Sequence, residues 1–251
     1  MGKVTKSLVV CATPRSGSTL LCALLDGTGV AGRPQEFFER LASSGLPRQP
    51  REYFDGVDDA ELLGLLAPTD PGEPDDGDPI PRALDEGTTD NGVFAAKLMW
   101  THLHDLADRL GRAPDAALLA ERFPDPRYVH VSREDKLAQA VSLWRAVQTR
   151  EWRAGDVINR DAAVYHGGAI AHLIAQLAEQ DDAWRAWFDA NAIEPITVRY
   201  EELADDPQAV VAGVLDRIGA GPAEIPEPPL RRQGDDRSAR WVERARAEVP
   251  A

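Results

Sequence analysis

The apolar positions along the chain change their period several times, and each change marks an element. Leu8-Val9-Val10-Cys11-Ala12 is a continuous apolar run too short for a helix, the pattern of a strand buried on both faces. A small, polar turn follows, and over residues 19–26 the apolar positions take helical spacing until Gly27-Thr28-Gly29 ends it. The opening is therefore predicted as strand, tight loop and helix. Residues 30–32 read as a short extended piece, residues 34–41 as a helix with Pro34 in its first turn, and residues 51–54 and 60–66 as further helical segments. Residues 68–92 break the pattern: eight acidic residues stand against the single Arg82 among prolines and glycines, and an irregular acidic surface excursion is expected.

Buried strands return at 93–100 and 127–133, the second followed by a helix over 136–147. A long amphipathic helix is predicted through 165–191, past Trp184 and Trp187, and a late strand at 196–200 passes into a helix start at Glu201-Glu202-Leu203. Repeated strand-then-helix units predict one α/β domain over residues 1–251, with a mostly parallel sheet whose strand ends share a ligand crevice.

Composition narrows what such a domain binds. With 28 basic against 42 acidic residues, a net charge of −14 and a pI near 4.8, nonspecific binding to nucleic acid or an anionic membrane is not expected, and an anionic ligand needs a local basic pocket. Cys11 and Cys22 fall on the first strand and first helix, the pattern of small buried thiols in a reducing compartment, so a cytoplasmic protein is expected. Residues 1–7 are too polar for a signal peptide, and no apolar run approaches the roughly 20 residues of a membrane span.

The turn Thr13-Pro14-Arg15-Ser16-Gly17-Ser18-Thr19-Leu20 carries the first candidate chemistry. At a helix N-terminus the first amides have no partner within the helix, and the dipole favours an anion. Gly17 lets the backbone approach that anion, Ser16, Ser18 and Thr19 offer hydroxyls, and Arg15 adds a full charge. In the nucleotide-triphosphate loop G-x-x-x-x-G-K-[ST], by contrast, lysine reaches the terminal phosphates and the hydroxyl holds magnesium; here Ala12 and Ser18 occupy the first glycine and lysine positions, which argues against an ATPase or kinase. A Ser-capped helix after a strand is the structural alternative.

The run P-R-S-G-S-T resembles the 5′-phosphosulfate loop of many sulfotransferases, and several further segments resemble one group of them, the bacterial trehalose 2-sulfotransferases. These are Gly29 to Gly32 with Pro34-Gln35-Glu36-Phe37-Phe38, then Lys97-Leu98-Met99-Trp100, Gln139-Ala140-Val141-Ser142, residues 144–150, Tyr165-His166, residues 168–172, and Arg232-Gln233 with Arg237, Ser238 and Trp241. The resemblance implies a P-loop-like three-layer sandwich and 3′-phosphoadenosine-5′-phosphosulfate as donor, without a metal. It also implies a sugar hydroxyl as acceptor, trehalose or a related glycoside, and often a homodimer. A glycosylated natural product is an alternative acceptor, and a non-catalytic nucleotide- or anion-binding module an alternative of another class.

Residue by residue, the resemblance assigns the 5′ end of the donor to Arg15 and residues 16–20, and the 3′-phosphate to Arg133 at the end of the 127–133 strand and Ser142 in the next helix. Ser142 stands nine residues from Arg133 where the common spacing is eight, and a capping Ser132 with a solvated Arg133 is the alternative. Arg232, Arg237 and Ser238 belong to the one concentrated basic stretch, read either as a late loop over the 3′-phosphate or as a solvated terminus. Glu36 takes the family's general-base position; in a first helical turn the dipole favours its carboxylate while burial beside Phe37 and Phe38 opposes that, and a plain helix-stabilising role stays open. Lys97 is either a donor to the sulfuryl or bridging oxygen or half of a structural ion pair. Phe37, Tyr53 and Trp100 are candidate faces for a sugar ring, with Gln35 and Gln148 as polar partners, each with a core role as its alternative.

Overall fold

In a computed structural model the described residues are 3–41, 49–67, 72–73, 76–152, 163–221, 223–228 and 236–248. The elements in chain order are β1 (Lys6–Ala12), α1 (Ser18–Gly27), a 3-10 helix (Pro50–Phe54), α2 (Ala60–Gly64), α3 (Ile80–Gly87), β2 (Val93–Met99), α4 (Trp100–Arg109) and α5 (Ala116–Arg122). They continue with β3 (Pro126–Ser132), α6 (Lys136–Thr149), α7 (Gly167–Ala190), β4 (Ile196–Arg199), α8 (Tyr200–Asp205), α9 (Pro207–Ile218) and α10 (Asp236–Glu248). The chain divides into two compact units, one of residues 1–40, 76–134 and 180–229, the other of residues 41–75, 135–179 and 230–251.

The first unit is built on a parallel sheet of order β2-β1-β3-β4. Apolar side chains alternate between its faces, as a pleated strand requires. Val9, Cys11, Phe94, Ala96, Leu98 and Tyr128 point to one face, under α4, α5 and the Trp184, Trp187 and Phe188 end of α7. Leu8, Val10, Ala12, Ala95, Val129, Val131 and Val198 point to the other, under α1 and α9. Helices on both faces of a parallel sheet are the expected α/β layering.

Register aligns the strand ends. Ala12 pairs with Met99 and with Val131, and Ser132 pairs with Arg199, so all four strands finish at one edge. The residue after each strand is Thr13, Trp100, Arg133 or Tyr200, and in open parallel sheets this carboxyl edge is where ligands bind.

Two expectations change. Residues 34–41 form no helix: Gln35 pairs with Ala96 as a parallel bridge, its carbonyl accepts from the Lys97 amide at 2.8 Å, and a turn at Phe37-Phe38 follows. β2 is the sheet edge, and satisfying its open backbone groups outweighs local helical preference. Within the acidic stretch, residues 80–87 are helix α3, whose Ile80 and Ala83 join the core. No helix among the described residues is long and apolar enough to cross a membrane.

The second unit has its own core, in which Phe54, Leu143, Trp144, Ile170, Leu173 and Trp241 pack together. Residues 231–235 lie outside the described set, whereas the following basic residues belong to α10 rather than to a loop.

Candidate active site

The loop after β1 is held from below. The Trp184 indole donates to the Ala12 carbonyl at 3.1 Å, and Thr13 Oγ1 donates to the buried Asp181 carboxylate at 3.2 Å. Arg15 then takes a left-handed φ of 62°, Gly17 follows at 90°, and α1 begins without any side-chain cap. The Leu20 and Leu21 amides close onto the Gly17 carbonyl, so the opening amides of Ser18 and Thr19 face outward from the helix end. A methyl group on Gly17 would lie 2.6 Å from Tyr200 Cδ2, so glycine is required both by conformation and by space. Ser16 is fully buried, and its hydroxyl has no hydrogen-bond partner among the described residues. A buried, unsatisfied donor beside an uncapped helix end fits an anion such as the 5′ end of a phosphosulfate nucleotide.

Three of the predicted residues close on this loop. Lys97 is 6% exposed on β2, opposite Val10 of β1, and its ammonium donates to Thr19 Oγ1 at 3.1 Å while standing 2.5 Å from Glu36 Oε1. Of the two readings left open for Lys97, the ion pair is formed, and its partner is the candidate base. Glu36 is held there by the extended pairing of Gln35 on β2, not by a helix, so the dipole argument for its charge falls away. A third of the Glu36 side chain is exposed, which leaves it open to an incoming hydroxyl. Burial pushes the Cys22 thiol up to about 12; Lys97 pulls it down and Glu36 pushes it up, which places this ion pair within electrostatic reach of α1.

Arg133 reaches the same loop from β3. Its Nη1 lies 3.5 Å from the Arg15 carbonyl, and its guanidinium sits 4.3 Å from the centre of the Tyr200 ring. Trp100 packs edge-on against Trp184 and His104, half-buried at the end of β2. Phe37, in contrast, is 3% exposed between Phe38 and Phe94, which leaves its ring no open face for a sugar. Gln35 is exposed.

The remaining candidates belong to the second unit. Gln148 spends its amide on both backbone groups of Val164, at 3.0 and 2.9 Å, and Tyr53 stacks on Trp152 with 5.9 Å between centroids. Ser142 and Arg145 share a face of α6, and Arg145 Nη1 bonds Ser238 Oγ on α10, beside Arg237. Arg232 lies outside the described residues.

Sequence reasoning missed Asp181, Tyr200 and His102. Asp181 and Tyr200 meet the loop from 168 and about 180 residues away, a distance no local pattern encodes. His102, 7% exposed in the first turn of α4, brings a ring nitrogen within 4.8 Å of carboxylate oxygens of both Glu36 and Glu39. A cation could span such a group, but the Lys97 ammonium already supplies the positive charge at Glu36, and the arrangement reads as an acid–base cluster.

Similarities to known proteins bear on this geometry. The sequence model of the Stf0 sulphotransferase family matches residues 7–248. A protein named Trehalose 2-sulfotransferase from Mycobacterium tuberculosis (strain ATCC 35801 / TMC 107 / Erdman) is 47% identical over 100% of this chain and 98% of its own length. Its namesake from Mycolicibacterium smegmatis (strain ATCC 700084 / mc(2)155) is 45% identical over 96% of this chain and 94% of its own length. The sulfotransferase domain of a Synechococcus PCC 7002 olefin synthase is 17% identical with a TM-score of 0.48, covering 100% of this chain and 91% of that one, too distant to bear on the site.

Proposed function

The chain belongs to the Stf0 sulphotransferase family and is a sulfotransferase, and from that premise we propose that it moves a sulfuryl group from 3′-phosphoadenosine-5′-phosphosulfate to a hydroxyl of trehalose, at the 2-position. One observation supports this reading above the others: a single buried ammonium, Lys97, touches both the anion-binding loop at Thr19 and the carboxylate of Glu36. The anion site and the proton acceptor are thereby tied to one point.

When bound, the donor supplies an activated sulfuryl group on a phosphate leaving group. The residues present do the rest by position and charge. Arg15, the Ser16 hydroxyl and the amides of Ser18 and Thr19 would hold the 5′ end, and Arg133, fixed over Tyr200, would bind the 3′-phosphate. Glu36 takes the proton of the attacking hydroxyl. Lys97 stabilises the charge that develops on the sulfuryl or bridging oxygen, and Trp100 offers a sugar ring its half-buried face. We place this activity in the cytoplasm, in a homodimer, with both compact units forming one sulfotransferase domain. The stretch matched by the family spans both units.

The experiment is transfer of labelled sulfate from the nucleotide to a panel of trehalose and related glycosides, read by mass spectrometry, with sedimentation for the oligomeric state. Sulfated trehalose from the wild type, and none from Glu36→Gln, supports the proposal. Tight binding of the nucleotide with no transfer to any sugar would make the protein a binding module instead.

A further inference from the structure

We propose that His102 works through Glu36 as a positioning and proton-relay residue, receiving the proton that Glu36 removes from the acceptor. This rests on the reading of Glu36 given above. The geometry comes from two different parts of the chain: Glu36 and Glu39 from the segment that pairs with the β2 edge, His102 from the first turn of α4, which grows out of the end of β2. Their carboxylate and imidazole atoms lie within 4.8 Å of one another, and Lys97 is two strand residues upstream of Met99, where β2 ends. A histidine that is only 7% exposed and placed beside two carboxylates is costly to charge unless that charge is compensated, and here both compensating carboxylates are at hand.

Lys97 gives the proton a reason to leave Glu36. In the transfer step the acceptor oxygen forms its bond to sulfur, the bond from sulfur to the 5′-phosphate oxygen breaks with its electron pair leaving on the phosphate, and the hydroxyl proton passes to Glu36. A protonated Glu36 has lost its attraction to the ammonium 2.5 Å away, and restoring the ion pair requires the proton to leave. The neutral imidazole accepts it, the resulting imidazolium lies beside the Glu39 carboxylate, and half-buried Glu39 returns the proton to water. No oxidant, reductant or metal enters the balance.

Among the described residues, the groups that neighbouring elements bring to this imidazole include Glu36 and Glu39, with Lys97 acting through Glu36; on α4 itself His104 packs on Trp100 and Asp105 stands three residues on. The relay needs a neutral imidazole, so the wild-type kcat profile should carry an acid limb that is lost with the imidazole. The test is kcat and KM of wild type, His102→Gln and Glu36→Gln with labelled donor and trehalose between pH 5 and 9, with stabilisation by 3′-phosphoadenosine-5′-phosphate as the check on folding and donor binding. Glutamine keeps a hydrogen bond but accepts no proton. The expected result for His102→Gln is a kcat lower by at least about tenfold, an unchanged acceptor KM, unchanged stabilisation by the nucleotide, and loss of that acid limb. A wild-type kcat profile flat down to the carboxylate range overturns the proposal whatever the variants do. So does a chelator that abolishes wild-type turnover, since the group would then hold a metal. Inactive Glu36→Gln with His102→Gln at the wild-type rate overturns the relay alone, whereas full turnover by Glu36→Gln overturns the relay together with the reading it rests on.

Discussion

Replacing Gly17 with alanine reads the anion loop through two separable penalties. Holding an alanine at φ 90° costs about 1–2 kcal/mol, and forcing its methyl to within 2.6 Å of Tyr200 Cδ2 adds about 1–3 kcal/mol of overpacking. The sum, about 2–5 kcal/mol, corresponds to a thermal midpoint lower by about 4–20 °C for a chain of this length. Tyr200→Ala alone loses the ring beneath the Arg133 guanidinium and part of a half-buried surface, about 0.5–2 kcal/mol. In the double variant the ring is gone and only the conformational penalty remains, so Gly17→Ala should cost only about 1–2 kcal/mol in that background. Urea unfolding and thermal midpoints of the four proteins close the cycle. A Gly17→Ala cost that is the same with and without Tyr200 would refute the close packing of the loop against α8, and with it the rigid placement of Arg133 beside that loop.

Other perturbations follow from the same geometry. Because the Ser16 hydroxyl is buried without a partner, Ser16→Ala should leave the ligand-free protein as stable or more so, by up to about 1 kcal/mol, while reducing stabilisation by 3′-phosphoadenosine-5′-phosphate; a loss of ligand-free stability would mean the hydroxyl is already satisfied. Lys97→Met keeps the buried stem and removes the cation beside a carboxylate that is one-third exposed, so unfolding should shift by no more than about 2 kcal/mol while transfer falls about 10²-fold or more, measured on one preparation. Thr13→Val takes a donor from the buried Asp181 carboxylate and should destabilise by about 1–3 kcal/mol in urea unfolding. Burial raises both cysteine thiols, Cys22 to about 12, which leaves about one Cys22 thiol in 10⁴ ionised at pH 8; alkylation there should be negligible in the native protein and complete on unfolding, with reactivity rising only as pH climbs toward that value.

The elements set by local pattern were legible in the sequence, and those set by distant pairing were not. Strand β1, its loop and α1 follow from residues adjacent in the chain, and the observed bounds Lys6–Ala12 and Ser18–Gly27 differ from the expected ones by a residue or two. Residues 34–41 failed because Pro34 and the apolar positions after it carry a helical signal, whereas the edge of β2, some sixty residues later, offers backbone bonds that only an extended Gln35 can make. Helix α10 was hidden for another reason. Its buried stripe is only Trp241 and Ala245 in a stretch crowded with arginine, too thin to announce a helix. Arg145 of α6 bonds Ser238 of α10, 93 residues away, a pairing that no local pattern encodes. For the site, residue types were readable but roles were not: Lys97 and Glu36 were named separately, and their pairing required the fold.

The claim on which the rest depends is that the loop after β1 grips the 5′ end of a phosphosulfate nucleotide through its amides, the Ser16 hydroxyl and Arg15, without a metal. Calorimetric titration with 3′-phosphoadenosine-5′-phosphate in the presence of a chelator tests it most directly. Saturable binding by the wild type, weakened at least about tenfold by Arg15→Ala with the fold intact, is the predicted result. Binding that requires magnesium, a preference for ATP over the bisphosphate, or unchanged affinity in Arg15→Ala would contradict it.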